Sequence, residues 1–234
     1  MEIIYQNEYI VAVNKPSGLL VHRSRECTDR DNLLKQVRNA IGQLVYPLHR
    51  LDRAVSGVVI FCLKPEYVSK FQSIWHTPEV KKFYLGLTRG LFSEAGEFNF
   101  DLSDQNKVKK SAITKYRPLF QYKSATLVEI EILTGRHHQI RRHFARRVDH
   151  LLGDRKYGKK KYNDDYLNRF ELRRIFLHSH RFEFTCPLSN QHTIIKCPLS
   201  TDLQRTLFLL KPERLEILPK TDYINEYILT NPEE

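Results

Sequence analysis

Between Ala125 and Leu133, Val128, Ile130 and Ile132 alternate with Glu129 and Glu131. A period of two puts successive side chains on opposite faces of an extended strand, a pattern that a helix cannot satisfy. The run therefore predicts a half-buried strand whose apolar face covers a core. It ends at Thr134-Gly135, where glycine permits a sharp turn, and runs directly into Arg136-His137-His138-Gln139-Ile140-Arg141-Arg142-His143-Phe144-Ala145-Arg146-Arg147. If the chain is helical from about His137, then Ile140, Phe144 and Val148 form an apolar stripe, while Arg142 and Arg146 share another face. A positive cluster at a helix start, where backbone N–H groups point outward, suits an anion.

The remaining elements follow the same logic. Residues 2–5 and 9–13 are short apolar runs around the turn Gln6-Asn7-Glu8, an N-terminal hairpin closed by Lys15-Pro16-Ser17-Gly18. Asp29 or Asp31 can cap a helix carrying Leu33, Leu34, Val37 and Ile41, stopped by Gly42; Val68, Phe71 and Trp75 mark a second helix after Pro65. Strands are predicted at 58–63, 80–88, 112–121 and 125–133, a hairpin around Pro187 to Gln191, and a late helix through Leu203, Leu207 and Leu210. Strand-rich order with a few amphipathic helices makes the fold class α+β. The length suits one catalytic domain over 1–215 with a C-terminal tail over 216–234.

Charge narrows the partner. There are 38 basic against 27 acidic residues, a net charge of +11, spread along the chain, which points to a polyanion. Beyond the Arg136 to Arg147 cluster, Lys107, Lys109 and Lys110 form one basic group. Arg155-Lys156-Tyr157-Gly158-Lys159-Lys160-Lys161-Tyr162 forms another, whose interleaved tyrosines suit a ribose-phosphate backbone with exposed bases. No run approaches a membrane span, and the polar start at Met1-Glu2 is not that of a signal peptide, so the expected setting is soluble and cytoplasmic. Cys27, Cys62, Cys186 and Cys197 contain no Cys-x-x-Cys pair and read as reduced packing residues. Cys186 and Cys197 with His178, His180 and His192 lack compact metal-ligand spacing, so no metal is expected.

One carboxylate is placed for chemistry. In His49-Arg50-Leu51-Asp52-Arg53-Ala54-Val55-Ser56-Gly57 a lone aspartate lies between two arginines, just before the apolar Val58-Val59-Ile60-Phe61. Nearby guanidinium groups favour an ionised carboxylate, so Asp52 is a candidate nucleophile. A ribonuclease built on His137, His138 and His143 is the competing reading, and it would leave Asp52 without a role.

The 49–57 segment resembles the HRLDxxTSG signature of RluA-type pseudouridine synthases, and further motifs follow in that family's order. Asn14 to His22 looks like its first motif, Lys82 to Gly90 its tyrosine-bearing strand, and Thr134 to Arg142 its TGRxHQLRxH segment. Leu152-Gly153-Asp154 resembles its Gly-Asp turn and Phe176 to Ser179 its late LHA segment. Two departures are Ala54-Val55 in place of Pro-Thr and Gly86 in place of the common alanine; both are expected to alter loop stiffness without removing chemistry.

The resemblance implies the pseudouridine synthase fold, with a long mixed, mostly antiparallel sheet, flanking helices and a central RNA-binding cleft. It implies a cofactor-free isomerase that turns a specific uridine into pseudouridine, in the branch acting on the T-stem of tRNA. Large-subunit ribosomal RNA, or a silent RNA-binding role, are the alternatives. By position it makes Asp52 the nucleophile, Arg141 the cation paired with it, and Tyr84 the residue that stacks on the base. Arg50 would help extrude the nucleotide. His49, Arg53, Arg136, His138, Gln139, Arg142, Arg146, Lys159 and Lys160 are the further candidate RNA-binding residues. The expected protein is a monomer that uses neither membrane nor metal.

Overall fold

The computed structural model describes residues 1–22, 31–147 and 149–217. Asp29, Cys27, Val148 and residues 218–234 of the expected tail lie outside this set. In chain order the elements are β1 (Glu2–Gln6), β2 (Ile10–Lys15), α1 (Leu33–Ile41), β3 (Tyr46–Pro47), β4 (Ser56–Cys62) and α2 (Pro65–Ile74). Then come β5 (Lys81–Arg89), β6 (Gly96–Asn99), β7 (Leu102–Ser103), β8 (Lys109–Lys110), β9 (Ile113–Tyr122) and β10 (Ala125–Ile132). They are followed by α3 (Gln139–Arg146), α4 (Lys160–Phe170), β11 (Leu177–Thr185), β12 (His192–Lys196), α5 (Thr201–Leu210) and β13 (Arg214–Ile217). The α+β class matches expectation. The chain divides into two compact units: Met1–Lys82 with Ser179–Cys197, and Phe83–His178 with Pro198 onward.

In the first unit the strand order is β1-β2-β4-β11, with β3 beside β4 and β12 beside β11. The β1–β2, β2–β4 and β11–β12 ladders are antiparallel. β4 is buried along its whole length, as its unbroken apolar run requires. Its apolar partners include Ile10, Phe71, Trp75, Phe182, Phe184 and Ile195. Gly57 in β4 has φ +112°, and a Cβ there would lie 2.1 Å from the Ser179 carbonyl oxygen, so only glycine fits. α1 is capped by Asn32, whose side chain accepts from the Lys35 N–H, instead of by the expected Asp31; Gly42 ends it in the left-handed region as expected.

In the second unit the order is β5-β10-β9-β13, with β6 on β9 and a separate β7–β8 hairpin. β10 runs antiparallel to both β5 and β9. It is the alternating strand, but it is buried on both faces, because Glu129 is covered and ion-paired to Arg117 at 2.7 Å. A paired carboxylate can face a packed layer where a bare one cannot. α4 was not foreseen. Its Tyr166 and Phe170 pack with Leu203, Leu207 and Leu210 of α5 and with Phe120 and Phe176.

Cys62, Cys186 and Cys197 are buried and unbridged. Burial pushes the Cys62 and Cys197 thiols up to about 12, which removes their nucleophilic form at neutral pH. Among the described residues no helix is long and apolar enough to cross a membrane, and no group of three or more His, Cys, Asp or Glu is placed to hold a metal ion.

Candidate active site

Two constellations carry the chemistry-bearing residues, one in each unit. In the first, the chain leaves β2 at Lys15, and the loop Pro16–Leu19 folds onto the segment that precedes β4. The Lys15 ammonium, fully buried, donates to the carbonyls of Pro16 (2.9 Å), Leu19 (2.8 Å) and Arg53 (3.2 Å). Ser17 Oγ donates to the Ala54 carbonyl at 2.8 Å, and the Gly18 N–H to that of Arg53 at 2.8 Å. Arg53 Nε returns a 2.8 Å bond to the Gly18 carbonyl. These bonds staple the two motifs to each other around a turn closed by the Val55 N–H on the Asp52 carbonyl, 3.0 Å.

Asp52 is thus presented half-buried on a fixed turn, flanked by the exposed Arg50 and Arg53. The Ala54-Val55 departure is accommodated: the Ala54 carbonyl is held by Ser17, and Val55 is buried at 2 % exposure. A turn braced this way is held without needing the rigidity of a proline.

His49 packs behind the turn as well as standing among the expected RNA-binding residues. Its ring stacks on Trp75 at 5.2 Å and lies 4.9 Å from Phe182, and its Nε2 accepts from the Ile60 N–H at 3.1 Å. Burial, aided by the nearby Lys82 charge, lowers its pKa to about 3, so the ring is neutral. Lys82 in turn lies 5.3 Å over the Trp75 ring and donates to the Trp75 carbonyl; burial lowers its pKa to about 8. His49, Trp75 and Lys82 form a brace behind the turn, three residues before Asp52.

In the second unit the turn after β10 is built around Gln139. Its Oε1 accepts from Thr134 Oγ1 (2.7 Å) and the Arg136 N–H (3.0 Å), and its Nε2 donates to the Ile113 carbonyl (2.9 Å) and Thr114 Oγ1 (3.0 Å). Two acceptors and two donors are the whole capacity of an amide, and the residue is buried, so Gln139 shapes the turn from within. His138, the residue before the helix, adopts the left-handed region at φ 53°. Its Nδ1 is 2.9 Å from the Tyr157 hydroxyl, and its ring stacks on His137.

The helix then buries Ile140 and Phe144 as predicted, but Arg141 and His143 as well. Arg141 forks onto Asp154: Nε to Oδ2 is 2.8 Å and Nη2 to Oδ1 is 2.9 Å. Burial acts to raise the Asp154 pKa, but the Arg141 bonds and charge and the amides of Lys156 and Tyr157 outweigh it, holding the carboxyl below its usual range. Gly153 makes this possible, because at φ +77° a Cβ would lie 2.0 Å from the Arg174 carbonyl oxygen. His143 is kept neutral: burial lowers its pKa to about 4, and its Nε2 lies 3.2 Å from the Phe100 carbonyl.

The other predicted contacts divide. Arg136 Nε donates to the Ser111 carbonyl and Arg142 Nη1 to that of Ser103, each 3.0 Å, so both pin the segment bearing the β7–β8 hairpin. Arg146 is exposed and lies 4.8 Å over the Phe100 ring. Lys159 stands at the N-cap position of α4 with no side-chain capping bond, and Lys160 pairs with Asp164 at 2.6 Å on its first turn; both are exposed. Tyr84 is buried on β5, opposite Ile130. Lys15, Ser17 and Asp154 were visible only as letters of matched motifs, and nothing in their spacing indicated which groups they hold.

Comparison with known proteins identifies the family. The model of the family described as RNA pseudouridylate synthase matches residues 9–146. The protein called tRNA pseudouridine synthase C of Vibrio parahaemolyticus is 34% identical over 228 residues, 88% of this chain and 93% of that one. Its namesake in Vibrio vulnificus is 36% identical over 219 residues, 84% and 89% of the two chains. That in Salmonella typhimurium is 34% identical over 232 residues, 88% of each. Among solved structures, human RNA Pseudouridylate Synthase Domain Containing 4 superposes with a TM-score of 0.75 at 21% identity, covering 92% of this chain and 94% of that one. Human RNA Pseudouridylate Synthase Domain Containing 1 gives 0.75 at 20%, covering 99% and 95%. At such identities the two structures speak for the fold.

Proposed function

The chain belongs to the RNA pseudouridylate synthase family and is a pseudouridine synthase of the RluA type, and we propose that its substrate is a uridine in the T-stem of tRNA and its nucleophile Asp52. Support for the RNA class comes from relatives called tRNA pseudouridine synthase C, matched along most of both chains. The observation that supports the nucleophile is the stapled turn, which holds a half-buried aspartate flanked in sequence by the exposed Arg50 and Arg53.

The Asp52 carboxylate attacks C1′ of the ribose or C6 of the base. The N1–C1′ bond breaks, the uracil turns, C5 bonds to C1′, the bond from Asp52 to C1′ or C6 breaks to return the free carboxylate, and the C5 proton leaves while N1 ends protonated. By the family resemblance Arg141 is the cation that serves the isomerisation, and Tyr84 the ring that receives the base. Arg50 fills the space of the extruded nucleotide, an extrusion that costs a few kcal/mol. Phosphate contacts from Arg146, Lys159 and Lys160 offset that cost.

The test uses unmodified tRNA and ribosomal RNA transcripts, with pseudouridine mapped by carbodiimide labelling and primer extension. A stop in the tRNA T-stem with wild-type protein, absent with Asp52→Ala, is the expected result. A stop in ribosomal RNA alone would overturn the tRNA assignment, and a stop that survives Asp52→Ala would overturn the nucleophile.

A further inference from the structure

Arg141 is gripped by more than its carboxylate partner. Asp154 takes the guanidinium edge formed by Nε and Nη2. The ring of Tyr157, three residues further along the same turn, lies under the guanidinium, 5.1 Å from its carbon to the ring centroid. The Tyr157 N–H also donates to Asp154 Oδ1 at 3.2 Å, so the ring and the carboxylate are fixed to each other. Its hydroxyl lies 2.9 Å from Nδ1 of His138, which immediately precedes the helix carrying Arg141. One side chain therefore spans from the helix start to the guanidinium on its first turn.

We propose that Tyr157 is a positioning residue for Arg141, fixing the plane of the guanidinium by its ring and the helix start by its hydroxyl. The inference rests on the role assigned to Arg141 in isomerisation. A planar fork held only at one edge can still hinge about that edge; a ring against its face removes the hinge and fixes the direction of the other edge. A space-filling residue would require neither the hydroxyl contact nor a left-handed histidine to receive it. Lys156 also approaches the same ring, at 5.6 Å, but it is exposed where Arg141 is buried, so the desolvated guanidinium gains more from the ring.

The test measures single-turnover release of tritium from C5-labelled uridine in a tRNA transcript, alongside filter-binding Kd. It uses wild type, Tyr157→Phe, Tyr157→Leu, Arg141→Lys and the double variants. Tyr157→Leu is expected to slow the chemical step about tenfold, in line with a desolvated cation–π contact, and Tyr157→Phe about threefold, in line with one hydrogen bond. Kd should stay within about twofold of wild type, and neither change should slow the Arg141→Lys protein further, because a residue acting through Arg141 has nothing left to position.

Full rate in Tyr157→Leu, additive loss on Arg141→Lys, or a loss confined to Kd would overturn the inference while leaving the proposed function standing. A wild-type protein that isomerises no RNA would overturn both, and an unimpaired Arg141→Lys would overturn the role of Arg141 and this inference with it. Should Tyr157→Leu fail to fold, Tyr157→Phe and His138→Asn decide: equal, non-additive losses support the positioning role, and full rate in both overturns it.

Discussion

The turn that presents Asp52 and the bracket that holds Arg141 both rest on a buried cation, and they hold it by opposite means. Lys15 is satisfied by carbonyls of its own loop and of the Asp52 turn, so its charge is spent on joining backbone segments. Arg141 is met by a full negative charge, so its pair is nearly neutral as a unit and a side chain is what is fixed. Asp52 thus inherits its place from the backbone, whereas the arginine inherits its own from one carboxylate and one ring. Loss of a staple should loosen everything near Asp52 together; loss of a bracket residue should misdirect one side chain.

The largest effect expected is on chemistry alone. Asp52→Ala should abolish pseudouridine formation with little loss of RNA affinity, because it removes the proposed nucleophile and leaves the neighbouring arginines in place. The check is tritium release together with filter binding, and an equally large fall in affinity would show that Asp52 also belongs to the binding surface. Next is Asp154→Ala, which leaves the guanidinium buried without its carboxylate. Breaking a buried pair from one side typically costs about 3–5 kcal/mol, read here by denaturant unfolding. An unchanged midpoint would mean that the guanidinium is satisfied elsewhere and that the bracket is not held as the geometry suggests.

Lys15→Met tests the other half of the comparison. It leaves three carbonyls without the ammonium, and orphaned polar groups cost on the order of 1–3 kcal/mol each when buried. A stability loss of about 2–3 kcal/mol, with the tritium-release rate falling as the turn loosens, is expected. A stable protein with an intact rate would show that Ser17, Gly18 and Arg53 suffice as staples. Acid should find the same region: His49 has its pKa lowered to about 3 in the fold against about 6.5 when unfolded, so the unfolded chain binds the extra proton between those values. The stabilisation is complete above about pH 6.5 and declines as pH falls toward 3, by at most about 1.4 kcal/mol per pH unit. His49→Gln should flatten that slope in unfolding measurements near pH 5, and an unaltered slope would assign it to other groups.

The comparison also explains what could be read from the letters alone. The N-terminal hairpin, β4, β5, β9, α2 and α5 were legible because their apolar spacing is local, and local spacing survives in the sequence. α4 was missed because Lys159 to Tyr162 presents itself as a basic patch; the buried Tyr166 and Phe170, four apart, were the overlooked helical signal. Glu129 seemed to mark a wet face because its partner Arg117 lies on another strand, where no periodicity could find it. Asp52, Tyr84 and Arg141 were singled out by motif position, yet Asp154 was matched without a role and Tyr157 was read only as one of the tyrosines in a basic run. A contact across thirteen or nineteen residues leaves no mark on spacing. Gln139 went the other way: a polar residue amid arginines invites a binding role, and only its four internal bonds show that its capacity is spent.

The smallest effect expected separates two adjacent lysines at the start of α4. Each phosphate contact made by a lysine on single-stranded or duplex RNA contributes roughly 0.7–0.9 to the slope of log affinity against log salt. Lys159 should show that change in full when replaced by alanine. Lys160 is paired with Asp164 at 2.6 Å, so a phosphate must displace a carboxylate before it gains the ammonium, and the displaced carboxylate then repels the RNA. Lys160→Ala should therefore reduce the slope by less than Lys159→Ala, while stability shifts by only about 0.3–0.5 kcal/mol, as for other exposed helix pairs. Lys160→Ala with Asp164→Ala should recover part of the lost affinity by removing the repulsion. Equal slopes for the two lysines would mean that the ion pair opens freely when RNA arrives, and that even a short surface bridge, unlike the Arg141 bracket, directs nothing.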